Sequence, residues 1–108
     1  MNKQPSIWEN DQTRQFVDVI LAIDDAKTMQ NLMRDVMTEK EISEMSARFE
    51  AAKMLRNGAK YTDIIAATKL SSRTVARISD WLQNGTGGYD AVLEIASRHH
   101  DHLPPARA

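Results

Sequence analysis

Between Asp11 and Asn57 the apolar residues recur three and four positions apart, and neither glycine nor proline interrupts them. That period belongs to helices, and no stretch alternates as a strand would. The spacing predicts a first helix from about Asp11 to Ile23, with Phe16, Val19, Ile20 and Ile23 on one face. Asp24-Asp25 interrupts it and offers an N-cap to a second helix, Ala26 to about Val36, carrying Met29, Leu32, Met33 and Val36. Thr38-Glu39-Lys40-Glu41 then matches a capping box, threonine as cap and glutamate three residues later. The helix it opens is the longest and reaches Arg56, with Ile42, Met45, Phe49, Ala52 and Met54-Leu55 as its apolar positions. Asn57-Gly58 closes it as an αL cap. Two shorter helices follow, about Tyr61 to Thr68 and Ser72 to Asn84, and after Gly85-Thr86-Gly87-Gly88 a last one, Tyr89 to about Arg98. The pattern predicts an all-α fold: an N-terminal arm over 1–10, a helical domain over 11–98 and a frayed tail over 99–108.

The segment from Tyr61 to Gln83 reads as two short helices joined by a three- to four-residue turn, the arrangement of a helix-turn-helix. Ile64, Leu70, Val75 and Ile78 are spaced to meet between the helices and fix their angle. Ser71 or Ser72 caps the second helix. Its outward face then presents Ser72, Arg73, Ala76 and Arg77. Small residues allow close approach to a major groove, and arginine pairs bidentately with guanine or holds a phosphate. Thr74 is a further candidate on the same helix, Lys60 and Lys69 are placed to meet phosphates, and the Ser71 hydroxyl and free N–H groups of the helix start suit a phosphate oxygen. The plainer alternative is a helical hairpin with a solvated basic edge. Lys69 is the weak position: the turn requires an αL residue, which costs a lysine about 1 kcal/mol.

Charge sharpens this picture. The chain is nearly neutral, at −1, but residues 1–50 balance to −4 and residues 51–85 to +4. Lys53, Arg56, Lys60, Lys69, Arg73 and Arg77 supply the basic third, which can face phosphates despite the neutral total. The 108 residues suit one small domain, and six methionines beside only six aromatics suggest a core of aliphatic and thioether side chains. There is no cysteine, which excludes disulfides and thiolate zinc sites and accords with a reducing cytoplasm. No run approaches the ~20 apolar residues of a membrane helix, and no signal peptide is visible.

Three segments in order, Arg48 to Gly58, the helix-turn-helix, and Leu82-Gln-Asn-Gly-Thr-Gly-Gly-Tyr-Asp-Ala-Val-Leu-Glu94, resemble the Trp-repressor superfamily. Within it they are most similar to the YerC/YecD branch, where a Gly-rich joint and a Tyr-Asp pair follow the recognition helix. The resemblance covers roughly Phe16 to Ile95. It implies a six-helix fold and an intertwined homodimer whose N-terminal helices wrap together. It also implies that Tyr61–Thr68, with Thr62, crosses the DNA backbone while Ser72–Asn84 enters the major groove. Two such helices about one DNA turn apart, ~34 Å, would read a near-palindrome. Dimerisation agrees with the physics, because three amphipathic N-terminal helices and a small core gain by burial against a copy.

The resemblance further implies a corepressor site in which an indole lies between two arginines. Arg77 matches the one on the recognition helix, and Arg48, within a one-residue gap, the one on the long helix. Where the repressor has a glycine to make room, this chain has Ile78, whose spacing from Val75 makes a core role natural. Tryptophan is therefore not expected as a corepressor, and no effector is identified. Of the remaining features, His99, His100 and His102 beside Asp101 read as a solvated tail rather than a metal site. Trp81 reads as packing rather than base stacking. Trp8 packs across the dimer or stays free. Asp90 suits the first turn of the last helix. No phosphate loop, no nucleophile beside a base and no carboxylate pair points to an enzyme, and no cofactor is expected. The expectation is a homodimeric DNA-binding transcriptional regulator of the repressor kind, with double-stranded DNA as partner. The alternative is a helical dimer that uses Ser72–Asn84 against a protein.

Overall fold

The computed structural model describes Ser6 to His100, the side chains of His99 and His100 excepted. A 3-10 turn, Ile7–Glu9, leads into six helices: α1 Asp11–Ala22, α2 Ala26–Val36, α3 Glu39–Arg56, α4 Tyr61–Thr68, α5 Ser72–Asn84 and α6 Gly88–His100. No strand occurs among the described residues. The element limits follow the sequence pattern closely. Ile23, expected as the last residue of α1, is instead extended at φ −71° and ψ 122°. The last helix starts one residue earlier than the spacing suggests and runs to His100. Residues 101–108, with His102, lie outside the described part.

Side chains close the open backbone donors at most helix starts. The Asn10 side chain accepts from Thr13 N–H at 3.1 Å and Asp25 from Thr28 N–H at 2.8 Å. At α3 the capping box is complete: Thr38 Oγ1 accepts from Glu41 N–H at 3.1 Å, and Glu41 Oε1 accepts from Thr38 N–H at 2.9 Å. These backbone donors hold the carboxyls of Asp25 and Glu41 below their ordinary pKa values. At the other end of α3, Gly58 has φ 82°, Gly58 N–H donates to Leu55 and Ala59 N–H to Met54, the two bonds of a Schellman cap.

The backbone falls into two compact units, residues 1–42 and 43–108. In the first, neither α1 nor α2 contains a buried residue. The helical stripe of α1 is largely open, with Phe16 48% and Val19 55% exposed. The second unit holds the core. Ala51 and Ala52 of α3, Ile64 of α4, Val75 and Ile78 of α5 and Leu93 of α6 form it. Phe49, Met54, Leu55, Leu70, Leu82 and Tyr89 are among the half-buried residues packed around it. Two adjacent alanines on α3 leave little side-chain bulk there, so the branched residues of α4 and α5 fill the centre. Arg56 adds surface pairs to Asp90 (4.0 Å) and Glu94 (3.7 Å), which in open solvent contribute little.

Candidate nucleic-acid interface

The turn between α4 and α5 is three residues, Lys69 to Ser71. Lys69 takes the αL conformation anticipated for it, φ 64° and ψ 13°, and its N–H donates to Ile65 at 2.9 Å. Thr68 completes the turn: its hydroxyl donates to the Ile64 carbonyl at 2.7 Å and accepts from Leu70 N–H at 3.3 Å. Ser71, rather than Ser72, is the cap of α5, its Oγ accepting from Thr74 N–H at 3.1 Å. The Ser71 hydroxyl also meets Thr74 Oγ1 at 3.0 Å, and Thr74 is half-buried. Ser71 and Thr74 are thus engaged in shaping the helix start.

With the start fixed, Val75 and Ile78 sit wholly inside the core and orient the rest of α5. The opposite face is open. Ser72, Arg73, Ala76 and Arg77 are all exposed there, and Lys60, Thr62 and Lys69 are exposed around the preceding helix. None of Lys60, Lys69, Arg73 and Arg77 makes an ion pair among the described residues. Four exposed cations that form no ion pair there are suited to bind an external polyanion. Asp80, exposed on the same face and accepting a hydrogen bond from Asn84 at 2.9 Å, was not foreseen. It is the one carboxylate on the outward face of α5. A carboxylate in a groove accepts from cytosine N4 and repels phosphate. The signal was available in the sequence, since Asp80 lies seven residues, nearly two turns, beyond Arg73.

Trp81, expected to pack, is half-exposed at 42%. At 100° per residue it lies about 90° from the centre of the Val75–Ile78–Leu82 stripe, at the edge rather than inside. There it lines an open apolar cleft of about 560 Å³ with Phe49, Tyr89, Val92 and the 85–88 joint. Gly85 belongs to this geometry, because a Cβ there would run into the Trp81 carbonyl that its own N–H binds at 2.9 Å. Tyr89, unassigned from sequence, packs against the core and lines the same cleft.

The comparisons with known proteins agree with this geometry. A family profile described as Trp repressor protein matches residues 11–97, most of the chain. The chain belongs to the Trp repressor family. This is a family of DNA-binding regulators and not of enzymes. Among relatives of this Trp-repressor-like chain, the uncharacterised protein YerC of Bacillus subtilis (strain 168) is 31% identical over 80 residues, 74% of this chain and 77% of YerC. The crystal structure of a TrpR-like protein from Eubacterium eligens is similar with a TM-score of 0.79 at 36% identity, covering 83% of this chain and 93% of that one. A candidate Trp repressor from Staphylococcus aureus is similar with a TM-score of 0.78 at 25% identity, covering 86% and 96%. These likenesses establish the all-α Trp-repressor-like fold and its YerC/YecD-like character. No helix among the described residues is long and apolar enough to cross a membrane, and no group of His, Asp or Glu there is arranged to hold a metal.

The family implies an indole-binding corepressor site at Arg77, and the residues of this chain do not fit it. Ile78, next along α5, is 0% exposed and belongs to the cluster that contains Ala51 and Ala52 of α3. Its side chain is packed among core residues at the position where the resemblance implies a glycine that makes room for the ligand.

Proposed function

We propose that this Trp-repressor-like chain is a homodimeric, sequence-specific DNA-binding regulator of transcription, of the repressor kind, that reads a near-palindrome. The observation that carries the reading is the outward face of α5: Arg73 and Arg77 exposed and, among the described residues, without ion-pair partners, on a helix anchored by Val75 and Ile78. Arg73 and Arg77 contact bases or the phosphates beside them, with Ser72 and Ala76 permitting close approach. Lys60, Thr62 and Lys69 bind backbone phosphates, while Ser71 and Thr74 hold the helix start. The helical domain over 11–98 is the functional unit, with 1–10 as an arm.

The dimer rests on the open apolar face of α1 and α2. Burying side chains such as Phe16 and Val19 against a copy contributes about 1.5–3 kcal/mol each. A dimer also supplies the second recognition helix that a palindrome needs. Selection from a random-sequence duplex pool by gel shift tests the reading. Enrichment of a near-palindrome, abolished in the Arg73→Ala/Arg77→Ala double variant, is expected. A well-folded dimer that retards no duplex even in low salt would refute it and favour a protein partner for α5.

A further inference from the structure

Ile78 bears on how DNA binding is controlled, on the premise that α5 is the DNA-reading helix. We infer that Ile78 takes the place of an effector: it fills the space beneath α5 with a residue of the chain itself, so that the recognition helix holds its pose without an amino-acid ligand.

Three observations support this. Ile78 and Val75 are both 0% exposed and stand one turn apart on the inner face of α5. Of α3, Ala51 and Ala52 are the fully buried members of that core, with Phe49, Met54 and Leu55 packed half-buried around it, so Ile78 is among the largest side chains at its centre. Isoleucine in a helix is also held to one strongly preferred χ1 rotamer, so it cannot swing aside to admit a ligand. Arg77, by contrast, is exposed and free to reach outward, with no ligand needed to turn it. A helix that already populates its binding pose does not pay the fractional-population penalty that an effector would otherwise remove. Ile78 is in this sense a positioning residue for Arg73 and Arg77.

The test uses the full chain, purified, then unfolded, dialysed and refolded so that any bound small molecule is lost, with circular dichroism to verify refolding. DNA affinity within about twofold of the untreated protein is expected, unchanged by millimolar L-tryptophan. The thermal midpoint is likewise expected not to move with L-tryptophan. Loss of DNA binding on stripping with recovery on adding L-tryptophan, or a raised midpoint, would overturn the inference. The midpoint does not involve DNA. If no duplex binds in any state the DNA reading fails, while a midpoint shift or its absence still decides the ligand question.

A variant pair isolates the residue. Ile78→Gly is expected to weaken DNA binding at least about tenfold, because the pose is no longer fixed. Ile78→Val is expected to restore it. Should Ile78→Gly not fold, Ile78→Ala replaces it. Full DNA affinity in a folded Gly or Ala variant would contradict a positioning role.

Discussion

Lys69 combines two roles that substitution can separate. Its αL backbone, φ 64°, is imposed by the three-residue turn, and a side chain in that conformation costs about 1–2 kcal/mol. Glycine removes that cost but gives back about 0.5–1 kcal/mol as extra freedom of the unfolded chain. Lys69→Gly is therefore expected to be more stable than Lys69→Ala by about 0.5–1 kcal/mol, since alanine keeps the strain. At fixed protein concentration this corresponds to a rise in midpoint of about 2–8 °C by thermal denaturation. Both variants lose the same charge. If Lys69 meets a phosphate in each protomer, both lower the magnitude of the log-affinity against log-salt slope by about 2 for a dimer. Equal stability of the two variants would refute the backbone argument. An unchanged salt slope in Lys69→Ala would refute the phosphate contact.

Other expectations follow from the same geometry. Phe16→Glu places a charge on the open face of α1, and sedimentation is expected to show a monomer at concentrations where the parent is dimeric; an unchanged dimer would place the interface elsewhere. Ser71→Ala removes the α5 cap and is expected to cost about 1 kcal/mol in denaturant unfolding. Asp80→Asn removes the one carboxylate of the reading face and is expected to tighten binding to unrelated duplexes in low salt, which anisotropy would detect. Asp25 and Glu41 have lowered carboxyl pKa values in the folded chain, so their contribution is present above the unfolded values and is lost as pH falls through the folded ones. Stability is expected to decline below about pH 4, and Glu41→Gln to flatten part of that decline.

Much of this fold is legible in the residues. The capping box at Thr38, the Schellman glycine at Gly58 and the cap-rich turn before α5 are local signals whose hydrogen bonds involve neighbours three to five positions away. Ile64, Val75 and Ile78 could be placed in the core because helical spacing brings them to one face. Trp81 reads as packing from its spacing to Ile78, but only its angle shows that it sits at the edge of the stripe, half-exposed. Phe16 and its neighbours share one apolar face, yet among the described residues none of α1 is buried, because a periodic pattern records that a face is apolar and not which molecule covers it. The cleft around the 85–88 joint depends on how α3, α5 and α6 meet, which no local pattern specifies.

The central claim, that the outward face of α5 is a DNA-reading surface, is tested most directly by measuring affinity for the selected duplex and a scrambled one across a series of salt concentrations. Lys60, Lys69, Arg73 and Arg77 supply up to eight contacts in a dimer, or six if Arg73 is spent on a base, so a slope of about −5 to −7 is expected. The selected duplex should remain the tighter at every salt. Binding that does not respond to salt, or that fails to distinguish the two duplexes, would contradict the claim.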